Sequence, residues 1–114
     1  MSAIDLPVAE QLAQDLSPAD FRRIIETFED DLTRLAQQLE AAAIAGNWDG
    51  YQRAAHSLAG AAAAVGATPL EQAARVAMDP RSPHPPAVVV PVIRDRAQAA
   101  LQALTALVAR VDGG

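Results

Sequence analysis

The chain has 114 residues, with 9 basic against 14 acidic side chains for a net charge of −5, and 51% of it is apolar. Every basic residue is arginine, lysine and cysteine are absent, and alanine supplies roughly half of the apolar residues. An acidic chain with no basic block is a poor nucleic-acid binder, because clustered basic residues supply most of that affinity, and one without cysteine has no disulfide scaffold, zinc–thiolate site or thiol nucleophile.

The composition is too hydrophobic for disorder, and the length suits one domain over residues 1–114 with one core. No apolar run reaches the ~18 residues needed to cross a bilayer, and the opening Met1-Ser2-Ala3-Ile4-Asp5 lacks the basic start of a secretion signal. A cytoplasmic domain without membrane or nucleic-acid partners is therefore expected.

Alanine, leucine, arginine, glutamine and glutamate favour helix, and strand formers are sparse outside one valine cluster, so the fold class is all-α. Asp5-Leu6-Pro7 begins a short helix over 6–15, with Val8, Leu12 and Leu16 spaced by four. Ser17-Pro18-Ala19-Asp20 starts the next, with Ser17 as N-cap, Pro18 at N1 and Asp20 in the first turn. Phe21, Ile25, Phe28, Leu32, Leu35 and Leu39 then recur at three- and four-residue steps, predicting a helix over 18–45 that stops at Gly46. Such a helix is about 40 Å long, which fits the long member of an antiparallel bundle.

Asn47-Trp48-Asp49 opens a third helix over 48–65, ended by Gly66. Thr68-Pro69-Leu70-Glu71 has the form of a capping box, with Thr68 as the cap of a helix over 69–78. Asp79 to Pro86 holds four prolines and reads as a loop. The last helix spans 89–111 with Ile93, Ala97, Leu101, Leu104, Val108 and Val111 on one face, and Pro91 fits only its first turn. The sum is an antiparallel up-and-down four-helix bundle preceded by an additional short N-terminal helix.

On a wheel of the third helix, Tyr51, Ala55, Leu58, Ala62 and Val65 fall within an arc of about 80°, which makes them the core stripe. His56 lies about 140° from the centre of that stripe and so points to solvent. Its neighbours one turn away are Gln52, Arg53, Ala59 and Gly60, and Ala63 extends the small side chains by another turn. A solvent-facing histidine on an alanine-rich helix ordinarily does nothing. Gly60 weighs the other way: glycine costs up to ~1 kcal/mol relative to alanine inside a helix. Its presence beside His56 suits either close approach of a partner or tight helix packing.

Gly46-Asn47-Trp48-Asp49, Ala55-His56-Ser57-Leu58-Ala59-Gly60, then Gly66-Ala67 and Leu70 together resemble the signature of histidine phosphotransfer (HPt) domains of multistep phosphorelays. That pattern is H-x-L-K-G, followed by a glycine ten residues after the histidine and a leucine a few further on. The close match covers about 25 residues, and helix order and length agree over nearly the whole chain.

The resemblance implies a phosphocarrier in which His56 accepts a phosphoryl group from a receiver-domain aspartyl phosphate and passes it to another receiver; from the length and Met1 alone a free-standing chain is expected, and it is expected to be a monomer. Its partners would be response-regulator receiver domains and a hybrid histidine kinase. It would be a stoichiometric carrier, not an autonomous enzyme, with no cofactor of its own, and the receiver would bring the Mg²⁺. A phosphocarrier needs an exposed, neutral imidazole nitrogen near pH 7, which an ordinary histidine supplies. Gln52, Arg53, Ala59, Gly60 and Ala63 form the expected docking strip, to which the resemblance adds Leu6 or Val8.

The sequence departs from the pattern at Ala59, where the family carries lysine. Arg53, three residues before His56, either replaces part of that positive field or is a solvated surface arginine. Without such compensation the chain would be either a slow phosphocarrier or a docking module that binds receivers and carries nothing.

Elsewhere, His84 in Ser82-Pro83-His84-Pro85-Pro86 reads as a loop residue without a role, and Trp48 and Tyr51 as core-edge anchors. Glu29-Asp30-Asp31 reads as a solvated helix face. Neither histidine has a second ligand at metal-binding spacing, so no metal is expected.

Overall fold

Ser17 caps the long second helix as its position requires: the Asp20 N–H donates to Ser17 Oγ at 3.2 Å, and Pro18 occupies the first helical turn. That helix is one of five in the computed structural model, which describes residues 3–113. They run α1 (Leu6–Asp15), α2 (Pro18–Ala45), α3 (Trp48–Ala64), α4 (Thr68–Met78) and α5 (Pro86–Gly113). α2 packs on α3 and α5, and α4 packs on the same two, so four helices close a ring while α1 rests on α2. Two residues join α2 to α3 and three join α3 to α4, lengths that return the chain antiparallel beside itself.

The turns follow from single residues. Gly46 takes φ +70°, letting its own N–H reach the Ala43 carbonyl (3.2 Å) and the Asn47 N–H reach that of Ala42 (2.9 Å), which pairs carbonyls the helix end would leave open. Asn47 then caps α3, its Oδ1 accepting from the Gly50 N–H at 3.0 Å.

Two expectations about helix starts are corrected. Thr68 does not cap α4: the helix begins one residue earlier than the capping-box reading has it, with Ala67 in the cap position and no side-chain bond. The Thr68 N–H is taken by the Gly66 carbonyl at 2.9 Å, and Glu71 turns to Arg75 at 2.6 Å instead of reaching back. Nor does Pro91 lie in the first turn of α5. The helix starts at Pro86, whose missing N–H costs nothing there, and the Val88 and Val89 N–H groups share the Pro85 carbonyl. Pro91 falls inside the helix and deprives the Ala87 carbonyl of its partner, on a side where both residues are exposed and water can replace it.

The core is a single cluster drawn from all five helices. Phe21, Ile25, Leu32 and Leu39 of α2, Leu58 of α3, Leu70 of α4, and Ile93 and Leu104 of α5 are its largest fully buried side chains. Each contributes about 1.5–3 kcal/mol of transfer free energy. Alanine fills the space between them on α3 (Ala54, Ala55, Ala59, Ala62) and on α4 (Ala73, Ala74, Ala77).

On α5 the buried series is Val89, Ile93, Ala97, Ala100, Leu104 and Leu107, while Leu101, Val108 and Val111 are half-buried at its flank. The expected stripe is thus rotated, because a 3.5-residue repeat keeps the smaller Ala100 on the seam. Among the described side chains of α1 the buried one is Ala9, and Val8 is 36% exposed.

Gly66 joins the start of α1 to the α3–α4 turn. It has φ +72°, its carbonyl accepts from the Asp5 N–H at 2.6 Å, and a Cβ there would stand 3.0 Å from the Asp5 carbonyl oxygen and from Val8 Cβ. At Gly46 the φ is similar but a Cβ would meet nothing within 4 Å. Gly46→Ala should therefore cost only the left-handed backbone penalty, about 1 kcal/mol, whereas Gly66→Ala should cost about 2 kcal/mol or more because backbone must also move. Urea unfolding of the two variants side by side measures the difference.

Candidate functional site

The inward series on α3 leaves the opposite side of the helix to water. Asp49, Gln52, Arg53, His56, Ser57, Gly60, Ala63 and Ala64 are all exposed and succeed one another at three- and four-residue steps. Five of the six residues selected from the sequence, Gln52, Arg53, His56, Gly60 and Ala63, therefore share one surface.

The sixth, Ala59, does not. It is 3% exposed and belongs to the core, so it cannot contribute to a docking strip. The correction is one of angle: a residue three positions on is turned about 60° from His56, and here that rotation carries it to the edge of the core stripe. Ser57 and Ala64 are on the surface although the sequence reading passed over them, and periodicity would have placed both there. Of the two N-terminal residues attached by resemblance, Val8 is exposed, while the Leu6 side chain lies outside the described residues.

Gly60 has open space around it. An added Cβ would meet nothing within 4 Å, which removes tight helix packing as the reason for a glycine at this position.

The electrostatics are sparse. Arg53 is the single basic residue of α3, and its guanidinium pairs with Asp49 one turn back, at 3.2 Å, with side chains 75% and 82% exposed. An ion pair so exposed is worth only ~0–1 kcal/mol and opens readily, so Arg53 is held loosely away from His56. Among the described residues no carboxylate bonds to the His56 ring, and no three His, Asp or Glu side chains gather as a metal site would require.

One side chain reaches the ring from another helix: Met78, the last residue of α4, places Sδ 3.3 Å from His56 Nδ1. It lies 22 residues away in sequence, beyond the reach of local pattern. The arrangement offers one nucleophilic nitrogen on an open, nearly uncharged surface, which suits accepting a group from a molecule that brings its own electrophile.

The remaining residues of interest are structural. Trp48 packs edge-on against Tyr51, with ring centroids 6.0 Å apart and planes at 87°. Burial raises the Tyr51 phenol above its ordinary pKa of 10.0, so it stays neutral. Glu29 is not merely part of a solvated face, since it accepts from Thr105 Oγ1 at 2.9 Å and ties α2 to α5. Arg94 and Glu40 make a second tie between the same helices. His84 is exposed in its loop, with its N–H donating to Ser82 Oγ at 3.2 Å. No helix of the described residues is long and apolar enough to cross a membrane.

Against known proteins, the family model described as "Hpt domain" matches residues 23–113, from the first turns of α2 through α5, and leaves α1 outside the match. No curated protein and no solved structure matches the chain.

Since nothing in the folded chain occupies the space beside Gly60, Gly60→Ala should stabilise the protein by about 1 kcal/mol, or about 4 °C in Tm, through helix propensity alone. Differential scanning calorimetry checks this. A loss of stability would mean that an internal contact, not an external one, demands the glycine.

Proposed function

Because the chain belongs to the Hpt domain family, we propose that it is a cytoplasmic phosphocarrier of a phosphorelay, taking a phosphoryl group on His56 from one receiver domain and passing it to another. Hpt domains are phosphocarriers of two-component signalling, not enzymes with a catalytic centre of their own. The observation that carries the reading to this histidine is its position: exposed at the middle of α3, beside a glycine that leaves open space one turn on.

In this reading the protein acts as a monomer, and the partners are response-regulator receivers and the hybrid kinase that loads them. A receiver presents an aspartyl phosphate with its Mg²⁺, and an imidazole nitrogen of His56 forms the new bond to phosphorus as the aspartate oxygen departs. Gly60 and Ala63 meet the partner with little side-chain bulk and Gln52 adds a polar contact, which suits a transient interface of modest size. Arg53 leaves Asp49 to approach the incoming phosphoryl oxygens, a bidentate match its guanidinium is built for.

A second reading has its own support. Ala59, where the family pattern has lysine, is uncharged and faces the core, and the one cation of α3 is already paired. A chain so short of positive charge would bind receivers without accepting phosphate.

Mixing the protein with a phosphorylated receiver and Mg²⁺ separates the two. The carrier reading expects acid-labile label on the wild type that disappears in His56→Gln. Receiver binding without label favours the docking module. Within the carrier reading, Arg53→Ala should slow transfer about three- to tenfold, and Asp49→Ala, which frees the guanidinium, should speed it. Equal rates for all three proteins would remove Arg53 from the mechanism.

A further inference from the structure

We infer that Met78 is a positioning residue for His56, whose thioether sulfur engages the Nδ1 hydrogen and thereby leaves the Nε2 lone pair as the nucleophile. The inference rests on the reading of His56 as the phosphoryl acceptor but concerns which of its two nitrogens reacts, something neither the sequence nor the exposure of the ring decides.

The geometry carries it. Nδ1 and Sδ lie 3.3 Å apart. A thioether has lone pairs and no hydrogen, so the contact is attractive only when Nδ1 bears the proton; an unprotonated Nδ1 would set one lone pair against another. Nor is Met78 a loose surface side chain. It is half-buried, packs against the core cluster, and sits at the end of α4, where the Asp79 N–H closes the last turn on the Arg75 and Val76 carbonyls at 3.1 and 3.3 Å. The backbone that carries the sulfur is therefore set before any partner arrives. Nε2 makes no hydrogen bond within the described residues and stands free.

A neutral imidazole in water distributes its proton over both nitrogens and favours Nε2–H, the form that cannot attack through Nε2. A contact that selects Nδ1–H raises the reactive fraction. The transfer then balances without a base. The Nε2 lone pair forms the N–P bond while the P–O bond to the donor breaks, its electron pair leaving with the donor carboxylate. Nδ1 keeps its proton, and the product is a phosphorylated imidazolium. Its N–H is a stronger donor than that of the neutral ring, so the contact with Sδ tightens as charge develops. This fits a site in which, among the described residues, no carboxylate hydrogen-bonds to the ring.

The test reads the tautomer directly. In protein labelled with ¹⁵N at histidine, long-range ¹H–¹⁵N spectra recorded at alkaline pH should show His56 with Nδ1 protonated and Nε2 bare. Met78→Leu, which keeps volume but removes the acceptor, should shift the ring toward Nε2–H, and Met78→Gln, whose amide oxygen is a better acceptor, should restore the wild-type form. With phosphoramidate as donor and ammonia as leaving group, wild type and Met78→Gln should be phosphorylated on Nε2, and Met78→Leu about three- to tenfold more slowly.

A wild-type ring protonated on Nε2, or a tautomer unchanged in a folded Met78→Leu, overturns the proposal. The wild-type spectrum alone decides if that variant does not fold. Tautomer shifts as described with no label on any protein would uphold the positioning by Met78 and remove the phosphocarrier reading instead.

Discussion

The approach of α3 to α4 through alanine is the constraint on which the rest of the molecule depends. Ala55, Ala59 and Ala62 on one helix and Ala73, Ala74 and Ala77 on the other turn methyl groups inward, and side chains this small let packed helices approach closely. Large side chains from α2 and α5, with Leu58 and Leu70, then supply most of the apolar burial. A short helix of 11 residues can hold its place only by such close contact. That closeness is what brings its last residue, Met78, against the histidine ring of its neighbour.

The same economy shapes the outer face. With alanine and glycine along the C-terminal half of α3, no tall side chain of that helix stands between His56 and an approaching surface. Charge is equally sparse: Arg53 and Asp49 cancel one another in water, and the alanine at 59 is spent on the core. What is left for chemistry is an imidazole with one nitrogen engaged by sulfur. For the phosphocarrier we propose, the partner would provide the electrophile and the cation that steadies it, and the bundle rigidity and access.

Much of this was legible from residue spacing. The period of Phe21, Ile25, Leu32, Leu35 and Leu39 defines α2 and its buried side, and the bounds 18–45 coincide with Pro18–Ala45 because Ser17 and Gly46 are local signals with local effects. The wheel of α3 places His56 outside for the same reason. Spacing failed where the outcome depends on a neighbour. Thr68 has the form of a cap, yet the Gly66 carbonyl takes its N–H first. Pro91 ought to open a helix, yet Pro86 opens it earlier and Val89 and Ile93, buried against the other helices, hold the turn around it together.

Ala59 marks the boundary between the two kinds of knowledge. The sequence by itself determined that residue 59 is three positions from the histidine and is not lysine; it also determined five helices, their order, and an exposed His56, since each follows from a repeat of 3.6 residues or from one capping side chain. Only the tertiary structure decided that Ala59 faces the core, that Arg53 rests on Asp49, and that Met78 reaches Nδ1 across 22 residues of chain. These are matters of how wide the buried arc is and which helix lies beside which, and both are settled by packing all five helices at once.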